Sequence, residues 1–161
     1  MSKNYLDILS ALSQKMHQES CVKRDSIKVK DIIKVSLTRE DGLTLNKGYD
    51  TREKYIVIVG KDELGRLLGA LLINHEIATF IQIDDDMMNA QYMLKQESYK
   101  SFLKEDSWLD CTELFSLSAQ KIEDRKGEKV ASLNDDDFER VKYTIATTEF
   151  IDEAQKMQFG L

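Results

Sequence analysis

The chain has 161 residues, a hydrophobic fraction of 42% and a formal net charge of −6. That length suits one domain with a sizeable core, and the apolar content excludes a disordered chain. The acidic balance argues against generic binding to nucleic-acid backbones, and no apolar run approaches the roughly 18 residues that span a bilayer.

Lys3 to Glu19 reads as a helix, because Tyr5, Leu9, Leu12 and Met16 recur at helical spacing with Ile8 beside them. The stripe is expected to dock on the parent domain. This opening segment has no apolar signal core and no small-residue cleavage site, so a cytoplasmic location is expected. Cys21 and Cys111 lie far apart and outside any CxxC pair. With two histidines in the chain, no metal site, cofactor or disulfide is expected. Ser26–Lys30 is a short extended lead-in.

The most informative stretch follows. DIIKVSL (Asp31–Leu37) reads as a strand, and Thr38–Glu53 as a charged loop rich in Gly and Asn. KYIVIVG (Lys54–Gly60) is apolar on both alternating faces, which marks a strand buried on both sides. Asp62-Glu63-Leu64-Gly65 makes a hairpin turn with Gly65 available for positive φ. Leu67–Ile73 returns, and Gly69-Ala70 marks a close backbone approach or a bulge. Asn74-His75-Glu76 ends that strand. Residues 21–61 carry ten Lys/Arg against six Asp/Glu, whereas residues 84–161 carry ten against eighteen. The hairpin therefore holds a local basic excess within an acidic chain.

Phe80–Ile83 fits a short strand and Asp84-Asp85-Asp86 a solvated loop, since consecutive carboxylates diverge too much to hold a hard cation. Ala90–Leu94, Ser107–Cys111 and Glu113–Leu117 read as further strands, with Trp108 in the core and a helical turn at Ser98–Leu103. Asn134 is a good N-cap, and Asp135, Asp136 and Asp137 suit the first turn of a helix. Phe138, Val141, Ile145 and Tyr143 would form its apolar face. Thr148–Phe159 is expected to be a second helix, with Phe150, Ile151, Ala154 and Met157 inward. The chain thus reads as one mixed, mainly β domain. It would have a helix over 1–20, a small, strongly bent, barrel-like sheet over 26–120 and helices over 134–159.

Three ordered features resemble the MazF/PemK family of toxins. The first is Val35-Ser36-Leu37, then Gly48 and Arg52 ahead of Tyr55-Ile56-Val57-Ile58-Val59. The second is Leu103-Lys104-Glu105-Asp106-Ser107 leading into a strand. The third is Gly127, Leu133, Asn134 and Asp137 before Phe138 and Val141. Together they cover residues 29–146, and the helix over 1–20 and the Ala78–Ser101 stretch look like elaborations of a longer branch. The resemblance implies an SH3-like barrel and a metal-independent endoribonuclease that cuts single-stranded RNA with the substrate's own 2′-hydroxyl as nucleophile. It further implies RNA and an antitoxin protein as partners, and a homodimer.

By motif position Arg52 would be the catalytic arginine, contacting the scissile phosphate without a proton equilibrium. The family's hydroxyl residue falls near Asn74, where this chain has none. Asn74 could donate a hydrogen bond to phosphate, and His75 could act as general acid or base, oriented by Glu76. Strand alternation would put His75 on the opposite face from Asn74, unless the strand end bends. Arg39, Lys47 and Gly48 would bind substrate from a mobile loop. Plain surface readings stand beside these: Arg52 in solvated ion pairs, and Asn74–Glu76 as an ordinary polar loop. A second function from another class also fits, a non-catalytic SH3-like protein-binding module that lost the chemistry. The acidic C-terminal helices argue against a DNA-binding protein.

Overall fold

A computed structural model describes residues 4–161, apart from the side chains of residues 17–19. Seven strands and six helices follow in the order α1 (Tyr5–Ser20), β1 (Asp31–Thr38), β2 (Thr51–Lys61), β3 (Leu67–Asn74), α2 (Thr79–Gln82), α3 (Asp85–Asn89), β4 (Gln91–Leu94), β5 (Ser107–Asp110), β6 (Phe115–Ser118), α4 (Ala119–Asp124), β7 (Glu128–Ser132), α5 (Asp135–Thr147) and α6 (Glu153–Gln158). The fold is mixed and built mainly on one antiparallel sheet, ordered β4-β5-β3-β2-β1-β7, with β6 pairing the first half of β3. The two outer strands, β4 and β7, do not pair with each other. The sheet is therefore open, where the sequence suggested a barrel.

Strand alternation sorts the apolar residues into two cores. Val57 and Val59 of β2 join Leu71 and Ile73 of β3 on one face, covered by Phe138, Val141 and Ile145 of α5 together with Ile151 and Phe159. Ile56 and Ile58 join Leu68, Ala70 and Leu72 on the other, covered by Ile27, Leu43, Phe115, Leu117 and Ile122. This is why β2 reads as continuously apolar. Glycine permits the closest approach: a Cβ at Gly60 would lie 2.3 Å from the Phe159 carbonyl oxygen, and one at Gly69 would lie 2.9 Å from the Phe159 ring. The β2–β3 register shifts between Ile58 and Gly60, so the bulge sits at this contact. Gly65 takes the expected positive φ, +68°.

Several local expectations differ. Residues 79–82 form a helical turn rather than a strand, and Asp84 caps the next one by accepting from the Met87 N–H. The aspartate run is thus a helix start. Trp108 is half-buried, and its neighbours Ser107 and Leu109 point inward instead. On α5 the Asn134 cap and the Phe138-Val141-Ile145 face match expectation, but Tyr143 is exposed. The last helix begins only at Glu153 behind an Asp152 cap. Phe150, Ala154 and Met157 are exposed, while Lys156 and Phe159 are buried. The strand β7 and the helix α4 had no counterpart in the sequence reading. The stripe of α1 does not dock: Tyr5, Leu6, Leu9, Leu12 and Met16 are all exposed.

Candidate functional site

The row Ile58-Ile56 on β2 continues outward as Lys54 and Arg52, because every second residue shares a face. The parallel row on β3, Leu68-Ala70-Leu72, ends the same way in Asn74. Both rows turn polar where the second core runs out. On β5, Trp108 lies opposite Asn74, and Asp110 lies opposite Gln91 of β4. Directly opposite residues share a face, so the polar ends of four strands meet on one side of the sheet.

The result is a cleft of about 500 Å³. Arg52, Lys54 and Asn74 line it together with His75, Glu76, Gln91, Asp110 and Glu113. Gly42-Leu43-Thr44 and Phe80 lie on its walls, and Phe115 and Ile81 are among its apolar lining. Lys54 is 9% exposed, and its Nζ donates to the Asn74 side-chain oxygen at 2.6 Å. Asp110 Oδ1 accepts from Gln91 Nε2 at 2.8 Å, from the Thr112 N–H at 2.9 Å and from the Thr112 hydroxyl at 2.6 Å.

The electrostatics follow from burial and neighbours. Burial pushes the Lys54 ammonium down to about 8, Arg52 pushes the same way, and Asp110 offsets part of it. Burial raises the Glu113 carboxyl, and the nearby Asp110 raises it further. The cleft therefore holds a fixed cation, a lysine that titrates just above neutrality and an acidic wall.

Arg52, Asn74 and His75, singled out from the sequence, line this one cleft. β3 ends at Asn74 and the chain bends at His75-Glu76, which brings His75 onto the Asn74 side. Arg39, Lys47 and Gly48 do not line it. Arg39 Nη2 instead donates to the carbonyls of Leu45 at 3.4 Å and Asn46 at 3.3 Å, so this arginine shapes its own loop. Gly48 sits in an open turn at φ +94°. The same connection reaches the cleft through Gly42–Thr44. Sequence reasoning passed over Lys54, Asp110, Glu113 and Gln91. Lys54 was legible from its two-residue spacing to Arg52, whereas the acidic wall needs the β3–β5 pairing.

Compared with protein-family models and with curated proteins, the chain matches none.

Proposed function

We propose that this chain is a MazF/PemK-like, metal-independent endoribonuclease acting on single-stranded RNA. One observation carries the reading: Arg52 of β2 and the adjacent Asn74 and His75 at the end of β3, singled out from the sequence, line one cleft. In the reaction the 2′-oxygen of RNA attacks the adjacent phosphorus and the P–O5′ bond breaks. Arg52 stabilises the charge that develops on phosphate, the Asn74 amide N–H donates to a phosphate oxygen, and His75 accepts the 2′-hydroxyl proton. An SH3-like strand arrangement, left open between β4 and β7, belongs to the same reading. It is supported by the antiparallel β1-β2-β3 run with β6 beside β3 and β7 beside β1. An antitoxin protein as regulator, a homodimer and a cytoplasmic location complete it. Among the described residues no helix is long and apolar enough to cross a membrane.

The test is cleavage of a mixed-sequence RNA in EDTA by wild type and Arg52→Ala. Discrete fragments from wild type, with a loss of at least about 100-fold in the variant, are expected for a lost charge-stabilising contact. A fully active Arg52→Ala removes Arg52 from catalysis. A second reading, the non-catalytic protein-binding module, is favoured by the exposed apolar stripe of α1. Folded wild type that leaves every RNA intact would select it.

A further inference from the structure

Lysine is seldom buried without a carboxylate partner. Lys54 is buried, and its hydrogen-bond partner in the cleft is a neutral amide, that of Asn74. We propose that Lys54, held in place by Asn74, is the group that donates a proton to the leaving 5′-oxygen of RNA. This rests on the ribonuclease reading above and adds a residue that neither composition nor motif marked.

Geometry places the amine. Lys54 and Arg52 project from the same face of β2, one residue pair apart, so a phosphate on Arg52 lies beside Lys54. The hydrogen bond to Asn74 fixes an otherwise flexible side chain against β3. The chemistry of the surroundings suits proton transfer. A carboxylate partner would hold the proton tightly, whereas an amide does not. The charged and titratable groups facing Lys54 are Arg52 on its own strand, His75 and Glu76 after β3, Asp110 on β5 and Glu113 beyond it. Burial first, then Arg52, bring the ammonium down to about 8 against the partial opposition of Asp110. At pH 7 the amine is still protonated, yet it releases its proton far more readily than a surface lysine. Arg52 keeps its charge throughout and cannot fill this role.

The step balances. The 2′-hydroxyl proton passes to neutral His75 as the O2′–P bond forms. The P–O5′ bond breaks, its electron pair stays on O5′, and O5′ takes the proton from Lys54 Nζ. The products are a 2′,3′-cyclic phosphate and a 5′-hydroxyl, with Lys54 neutral and His75 protonated. Exchange with water restores both.

The experiment compares wild type, Lys54→Arg and Lys54→Met under single-turnover conditions from pH 5.5 to 9.5. It uses ordinary RNA and RNA with a bridging 5′-sulfur at the cut site. A thiolate leaves without needing a proton, so that substrate bypasses the general acid. On ordinary RNA the wild-type rate should fall above about pH 8, and both variants should lose about 100-fold at pH 7, the usual worth of a general acid. Lys54→Arg should also lack the alkaline decline. On the sulfur substrate both variants should recover to within a few-fold of wild type, which no purely structural defect would allow. If wild type cuts RNA but the variants keep the alkaline decline, or the sulfur substrate fails to rescue them, Lys54 is not the acid and the ribonuclease reading survives. If wild type cuts neither substrate, the ribonuclease reading falls and takes the role of Lys54 with it.

Discussion

At position 156 a lysine is buried, with its ammonium donating to the carbonyls of Thr148 at 2.9 Å and Ala146 at 3.3 Å, and to Glu153 at 3.1 Å. Those carbonyls belong to the end of α5, where helices leave acceptors unmatched. The positive charge also suits the negative pole of that helix. Lys156→Met would keep the stem packing and strand the acceptors. We expect a loss of about 2 kcal/mol in urea unfolding, the cost of unsatisfied buried polar groups. An unchanged midpoint would show that the acceptors find other donors. This lysine was not legible beforehand, for a reason of register. A helix over Thr148–Phe159 turns Ala154 and Met157 inward. The Asp152 cap delays the start to Glu153, and the inward positions become Lys156 and Phe159.

Among the elements, α1 stands apart. It has 16 residues, yet none of its described side chains is buried. Isolated helices of about this length are marginal in water. Nothing in the two cores draws on its stripe. Deleting residues 1–18 should therefore leave the Tm of the remaining chain within about 2 °C, a shift that corresponds to about 0.5–1 kcal/mol at this size. A drop of 8 °C or more would mean that α1 contributes to the fold after all. The sequence identified the helix from its periodicity but assigned its stripe to the parent domain. Periodicity reports that a face is apolar and is silent about what meets it. The same limit explains the sheet. The β1-β2-β3 core and the Asn134-capped helix were plain, because alternation and capping are local signals. The pairing of β5 with β3 and the open edges at β4 and β7 are long-range facts. The acidic wall of the cleft depends on them, and Gln91, Asp110 and Glu113 were hidden for that reason.

For the whole molecule, stability should rise with pH in two separate windows, because two groups have depressed pKa values, one stabilising when charged and the other destabilising. Asp41 lies in the helical turn Arg39–Asp41 just after β1, where burial alone would raise its carboxyl. Hydrogen bonds from Arg125 at 2.6 Å and from the Thr38 N–H at 2.7 Å outweigh burial and hold it below the usual carboxylate value. A carboxyl depressed in the folded state stabilises fully above its unfolded value, near 3.9, and that contribution disappears as pH falls through the folded value. The charged form of Lys54 is a penalty rather than a gain. Its ammonium is depressed from 10.5 in the free side chain to about 8 in the fold. Below pH 8 both states are protonated and the folded state bears the whole penalty, about 3 kcal/mol. Between pH 8 and 10.5 the folded protein sheds the proton first and the penalty shrinks. The tyrosines complicate the wild-type curve alone. Tyr92 is pushed up to about 12 and Tyr99 higher still, by burial and by their hydrogen bonds to Asp137. Their contribution is present below pH 10 and lost above it, but it cancels when wild type is compared with a variant. Lys54→Met should therefore be more stable than wild type at pH 7 by about 1–3 kcal/mol, the lower figure allowing for the unpartnered Asn74 oxygen. The gap should narrow steadily up to pH 10. Guanidinium unfolding at pH 7, 8, 9 and 10 reads it directly. A gap that stays constant with pH would mean that Lys54 is not held in a destabilised charged state. A closing gap would mark the floor of the cleft as a place where the fold gives up stability to keep a charge, as functional sites do.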